Sequence, residues 1–306
     1  MTRLVPLAAS LLALALSPAL SAHPGIGIVV DSRGNVFYTD LEQVWRIAPD
    51  GTRSVAVPGV HTHELYLDAE DNLYGQHLWY DGEASDTWGH RVWKLSRDGE
   101  LADVIPATRG FLERYSFVRD ARGNMYWAGD GEGDASDRVS IQKLAPDGTL
   151  TRLAGGGAGR ADGVGKEAQF EDLRWISATP EGVVHAIDGG RLRRVAPDGT
   201  VTTLASLAEG GLDLFGGKKH RLFGLCADRA GNVYVANLWK ERVERVTPSG
   251  DVTVFAEGCA PTGVTVSPAG DVFVLEGGDE GARVRRFRPD GTEVALAEGV
   301  KEPRSR

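Results

Sequence analysis

The chain has 306 residues, 42% hydrophobic and 25% charged, with 40 glycines, which fits one large globular domain and excludes a disordered or fibrous chain. Its formal charge of −9 argues against a nucleic-acid partner, because phosphate neutralisation needs a basic face and the basic residues cluster only in "KKHR" at 218–221. Two cysteines, Cys226 and Cys259, are too few for a disulfide framework and leave one bond or none.

In chain order, "MTRLVPLAASLLALALSPALSA" joins the early Arg3 to an apolar run from Leu11 to Leu16 and small residues ending at Ala22. That pattern is expected of a secretory signal peptide at 1–22. The run is far shorter than the roughly 20 residues that span a bilayer, so residues 23–306 are expected to be secreted or periplasmic, with no membrane anchor.

From residue 28 one unit recurs six times: "IVVDSRGNVFYTD" (28–40), "LYLDAEDNLYGQH" (65–77), "FVRDARGNMYWAG" (117–129), "ISATPEGVVHAID" (176–188), "LCADRAGNVYVAN" (225–237) and "VTVSPAGDVFVLE" (264–276). Each copy is followed by a second alternating pair around a glycine turn, as in "VWRIAPDGTRSV" or "VRRFRPDGTEVAL". Alternation predicts strands, and the "DxxGN" and "PDG" joints predict hairpins, since glycine supplies the positive φ of a tight turn. Four antiparallel strands, A to D, over about 40 residues are the blade of a propeller. The fold class expected is therefore all-β, a six-bladed β-propeller forming a single domain over 23–306. No terminal strand is left to complete another blade, so closure is expected from packing of the first blade on the sixth.

The stretch "LAGGGAGRADGVGKEAQFEDLRWISATPEGVVHAID" (153–188), with "GLCADRAGNVYVAN", resembles the NHL repeat. The resemblance implies a propeller of the NHL and gluconolactonase-like kind, whose members include lyases, lactonases, sensors and non-catalytic platforms. Amidating lyases of similar architecture carry three histidines on the inner ring, of which only His63 is matched here. The acidic and amide ligands of gluconolactonase-like proteins are not matched on that ring.

A–B and C–D turns are uniformly short, whereas B–C and D–A connections vary, so one face is expected to be elaborated and the other plain scaffold. Two rings should line the elaborated face. The residues just before strand A are Ile26, His63, Tyr115, Arg174, Phe223 and Thr262; those ending strand B are Asp40, His77, Gly129, Asp188, Asn237 and Glu276. An unshifted second hairpin places His63 opposite His77, with Glu64 next to it, His61 just upstream and His90 ending the following loop.

Two imidazoles with nearby carboxylates suit a divalent cation such as zinc, for which the candidate ligands are His63, His77, Glu64, Asp40 and Glu276. A metal-free reading uses His63 or His77 as general base, with Arg174 and Tyr115 to hold an oxyanion. A third reading has the histidines only packing and bonding locally. Asp40, Asp188 and Asn237 also have a structural reading, as acceptors for neighbouring backbone groups. The acidic loop with Asp130, Glu132, Asp134 and Asp137 could wrap calcium or merely be solvated. Trp79 and Trp88, with His90 and Asn237, are candidates to bind a flat or sugar-like ligand, and Trp93 is expected in the core. The glycines at 155–165 lack the Lys-Ser/Thr ending of a phosphate loop, so no nucleotide cofactor is expected. The expected partner is a small-molecule ligand, handled by a metal-assisted hydrolase or lyase site; the alternative is a protein or glycan bound to a non-catalytic platform.

Overall fold

The computed structural model of the chain describes residues 27–82, 87–110, 112, 114–129, 139–207, 222–277 and 281–296. The expected signal peptide, the carboxylates of the 130–138 loop and the basic cluster at 218–221 lie outside the described residues. Six antiparallel sheets form the blades of a β-propeller. Blade 1 is β1 (Ile28–Val30), β2 (Val36–Thr39), β3 (Val44–Ile47) and β4 (Arg53–Val57); blade 2 is β5 (Leu65–Leu67), β6 (Leu73–Tyr80), β7 (Trp88–Leu95) and β8 (Leu101–Arg109). Blade 3 holds β9 (Met125–Ala128), β10 (Ile141–Leu144) and β11 (Leu150–Ala154). Blade 4 is β12 (Gly163–Val164), β13 (Leu173–Ala178), β14 (Val184–Asp188), β15 (Arg191–Val195) and β16 (Thr200–Ser206). Blade 5 is β17 (Leu222–Ala227), β18 (Val233–Asn237), β19 (Arg242–Val246) and β20 (Val252–Glu257); blade 6 is β21 (Pro261–Val266), β22 (Val272–Glu276), β23 (Arg283–Phe287) and β24 (Glu293–Val294). No helix of the described residues is long and apolar enough to cross a membrane.

Two blades depart from four strands. In blade 3 the inner strand is reduced to a bridge, Arg119 with Met125, and Ser116 beside it makes local bonds. Its Oγ accepts the Val118 N–H and its carbonyl accepts Arg119 Nε. Blade 4 gains β12, which pairs on the outer edge of β16. This extra strand belongs to the glycine-rich connection at 155–172, which folds down rather than standing over the elaborated face. Ala168 and Phe170 of that connection are fully buried, and a Cβ on Gly156 would lie 1.9 Å from the Lys166 carbonyl.

The recurrent turn motif has a single cause. Asp31 Oδ1 accepts the N–H groups of Arg33 and Asn35, and its Oδ2 accepts Asn35 Nδ2; Asp68, Asp120 and Asp228 do the same in their blades. Thr179 and Ser267 substitute a hydroxyl for the carboxylate. Each turn glycine has positive φ, and in five blades it sits under the proline of the C–D turn, Gly34 on Pro49 for example. Both turns of a blade therefore share one face.

Blades pack through their flat sides. Middle strands such as β14 and β18 are buried along their whole length, whereas the outermost β8 is exposed almost throughout. Apolar clusters fill the seams between blades 1 and 2 (Phe37, Leu65, Trp93), 3 and 4 (Ile141, Phe170, Val184), 4 and 5 (Ile187, Leu225) and 5 and 6 (Tyr234, Val264). The ring closes where Phe273, Leu275 and Val284 of blade 6 meet Ile28, Tyr38 and Ile47 of blade 1. Among the described residues no strand is exchanged there, and each blade forms its own sheet.

Candidate functional site

Blade 2 carries the longest hairpin, with eight residues in each of β6 and β7. At its inner end the pairing with strand A slips by one residue. Leu65 pairs with Gly75 in regular register, but Leu78 N–H donates to the His61 carbonyl at 3.0 Å, one position out of step. Blades 4, 5 and 6 show the same bulge, between Leu173 and Trp175, Phe223 and Leu225, and Pro261 and Gly263. The expected face-to-face placement of His63 and His77 is therefore corrected: His63 falls in the bulge, and the two rings have different partners.

His77 Nδ1 accepts the backbone N–H of His61 at 2.8 Å, which fixes its proton on Nε2. Asp188 and Glu276 carry the same acceptor duty in blades 4 and 6. Asp188 Oδ1 takes the N–H groups of Glu171 and Asp172, and Glu276 Oε1 takes that of Ala260. Burial pushes the His77 imidazole below its ordinary value, and the charges of Arg91 and His61 add to that.

The same residues also hold strand C. Asp40 Oδ2 accepts Trp45 Nε1, Asp188 Oδ2 accepts Arg193, Asn237 donates to Glu244, and Glu276 accepts Arg285. Asp40, Asn237 and Glu276 are thus committed within their own blades. In blade 2 the matching donor, Trp93 Nε1, is buried without a partner, because His77 gives its acceptor to His61. Among the described residues no group of three or more His, Cys, Asp or Glu is placed to hold a metal ion. His63, His77, Glu64, Asp40 and Glu276 form no such group.

What converges instead is His61 with His63. Their Nε2 atoms are 3.0 Å apart and the rings meet edge to face at 4.7 Å. His61 Nδ1 lies 3.0 Å from the Leu41 carbonyl, an atom that can only accept. His61 thus carries its proton on Nδ1 and offers a lone pair at Nε2, to which His63 Nε2–H donates. Leu41 is buried at a φ of 74°, a conformation costly for a leucine. It is held by Thr39 Oγ1, which accepts the Leu41 N–H and donates to the Thr62 carbonyl. Thr62 in turn donates to the Gln76 carbonyl. Glu64 follows His63 in the chain. Its side chain is exposed, yet the surrounding protein strips hydration enough to push its carboxyl up.

Tyr115 is half-buried under the Arg119 guanidinium, 4.7 Å from its ring, and stacks edge-on against Phe117. Arg174 is exposed and bonds Asp172 through Nε at 2.7 Å. His90 is buried, with Nδ1 2.7 Å from the Gly110 carbonyl, and Asn237 is fully buried as the cap of the 238–240 turn. Neither His90 nor Asn237 is set to touch a ligand. Trp79 lies across Gly89 and stacks on His77, whereas Trp88 pairs with Tyr80 at 5.0 Å as two exposed rings near the hairpin tip. Trp93 is fully buried in the seam with blade 1. Cys226 and Cys259 are both free thiols. The residue that sequence reasoning passed over is His61, whose only signal was the "HTH" spacing.

No family model matches the chain, and no curated protein matches it. Solved structures share its fold. A streptogramin B lyase is 13% identical with a TM-score of 0.50, covering 89% of this chain and 83% of its own. A gluconolactonase from Xanthomonas campestris is 16% identical at 0.53, covering 85% and 84%. An auxiliary nutrient binding protein from Bacteroides thetaiotaomicron is 12% identical at 0.54, covering 86% and 69%. At such identities the likeness shows the six-bladed fold alone, with lyase, lactonase and binding proteins all using it.

Proposed function

We propose that the chain is an exported propeller that binds a small oxygenated molecule at the inner end of blade 2 and acts on it by general acid–base catalysis, as a hydrolase or lyase. The observation that carries this reading is the relay Leu41 carbonyl, His61, His63. An imidazole whose Nε2 proton is held by a second, anchored imidazole presents its Nδ1 side as base and can pass charge inward as it takes up a proton. The leader-like 1–22 segment supports export, and shared architecture with a lyase and a lactonase supports the reaction class. The exposed Tyr80–Trp88 pair favours a second reading, a glycan- or protein-binding platform without catalysis.

Hydrolysis of glucono-1,5-lactone and a panel of small lactones by the purified chain tests the proposal. His63→Ala should slow turnover by about 10²- to 10⁴-fold with circular dichroism unchanged, and dialysis against a chelator should leave the rate intact. A wild-type rate equal to that of His63→Ala on every lactone would refute the hydrolase form. Loss of rate on chelation would move the chemistry to a bound cation.

A further inference from the structure

The turn face, expected to be plain scaffold, holds two cavities of about 240 and 280 Å³ that share a wall at Asp31 and Arg33. The smaller is a cleft between blades 1 and 2, remote in the fold from the histidine relay. Here blade 2 departs from the turn rule. Asp71, at a φ of 64°, stands where the other blades have glycine, and Arg97 stands where they have the covering proline. The second change removes the lid of the turn and adds a cation; the first adds a carboxylate.

Arg33, Arg46 and Arg97 all line this cleft, over a floor of Phe37, Leu73 and Leu95. Three guanidinium groups in one cleft are an anomaly on a chain of net charge −9. Two carboxylates also line it, and both are engaged by neutral donors. Asp31 is spent on the Arg33 and Asn35 N–H groups, and Asp71 on Ser32 N–H and Oγ–H. Arg46 gives Nε to Asn35 Oδ1, while Arg33 and Arg97 make no side-chain ion pair among the described residues. Burial would raise the Asp71 carboxyl, but the Ser32 bonds and the charges of Arg97 and Arg33 hold it below its usual range.

We propose that this cleft binds a small organic oxyanion, a phosphate or carboxylate carried on a short apolar body. Planar guanidinium forks match both oxyanions in bidentate fashion, and the apolar floor adds burial that a bare ion cannot use. The volume admits a body of one ring.

Calorimetric titration of the whole chain with phenyl phosphate, benzoate and inorganic phosphate tests the proposal and separates the two oxyanions. Phenyl phosphate or benzoate should bind at least about tenfold more tightly than inorganic phosphate, and the Arg33→Gln, Arg97→Gln double variant should lose about tenfold or more. An Arg97→Pro variant, which restores the covering residue of the other blades, should lose binding while keeping the fold. Three results would each overturn the proposal: no binding by any probe, equal affinity in the double variant, or tighter binding of the bare ion. None of these bears on the lactone assay, since the cleft and the relay share no residue.

Discussion

His77 occupies a position where blades 1, 4, 5 and 6 carry an acidic or amide side chain, and its value to the fold is one half-buried bond to the His61 N–H. Replacing it by leucine leaves that N–H unpaired and should cost about 1–3 kcal/mol, whereas His77→Asp keeps an acceptor of the kind found at Asp188 and should cost less. Urea unfolding of the two variants reads the difference. His185 provides the acid limit. Burial, helped by the nearby Arg194 charge, lowers its imidazole to about 4, with Nδ1 buried and unpartnered. Its folded value lies below the unfolded one, so its contribution is present above pH ~6.5 and is lost as pH falls toward 4, amounting to about 3 kcal/mol. His185→Leu should remove that part of the acid destabilisation while changing stability little at pH 7.5, as denaturation at both pH values will show.

At the scale of the element, the B–C hairpins of blades 1, 4 and 6 are pinned by a carboxylate ending strand B and a donor on strand C, and that of blade 5 by the reverse, Asn237 donating to Glu244. Blade 4 has the most buried version, in which Asp188 and Arg193 are both fully enclosed. Asp188→Ala would take from the guanidinium its one fully buried carboxylate, leaving it the half-exposed Asp162 and the Gln169 and Ala161 carbonyls, and should cost about 3 kcal/mol in chemical denaturation. Gly75 in β6 leaves room for Trp93, whose ring would stand 2.2 Å from an added Cβ. Gly75→Ala should destabilise by about 1–3 kcal/mol through overpacking, seen as a lower thermal midpoint with the Trp93 fluorescence shifted.

These elements also show what could be read from the residues alone. The Asp and Gly of "DxxGN" state their own hydrogen bonds and φ, so strands, turns and the blade count were legible. Acceptor duty at Asp40 and Asp188 was legible for the same reason. The bulge was not, because a one-residue slip leaves alternation on both sides intact and no residue type marks it; yet that slip separates His63 from His77 and hands it to His61. Cation binding at His63, His77, Glu64, Asp40 and Glu276 was inferred from ring position and an unbroken register, whereas the partners of His63 and His77 depend on the slip. Asp71 and Arg97 were visible as departures from the repeat but acquire meaning only when both turns are seen on one face.

Over the whole molecule the six blades form a closed ring, so unfolding should proceed from its weakest seam. Five seams hold buried apolar clusters among the described residues. Between blades 2 and 3 the contact is polar and aromatic instead: Arg119 lies over Tyr66 and Tyr115, and Tyr66 packs on Tyr74. Hydrogen exchange should therefore be fastest, among inner-strand amides, at 65–67 and 117–119, and slowest at the blade 4–5 seam around Val233 and Val235. Uniform protection around the ring would count against this order.

The site reading depends on imidazole geometry set by the bulge, and long-range proton–nitrogen correlation spectra of the histidine rings address it most directly. The expected pattern at neutral pH is His61 protonated on Nδ1, His63 on Nε2 and His77 on Nε2, with the His63 tautomer no longer fixed in a folded His61→Ala variant. A spectrum with His63 protonated on Nδ1, or with its tautomer unchanged when His61 is removed, would contradict it.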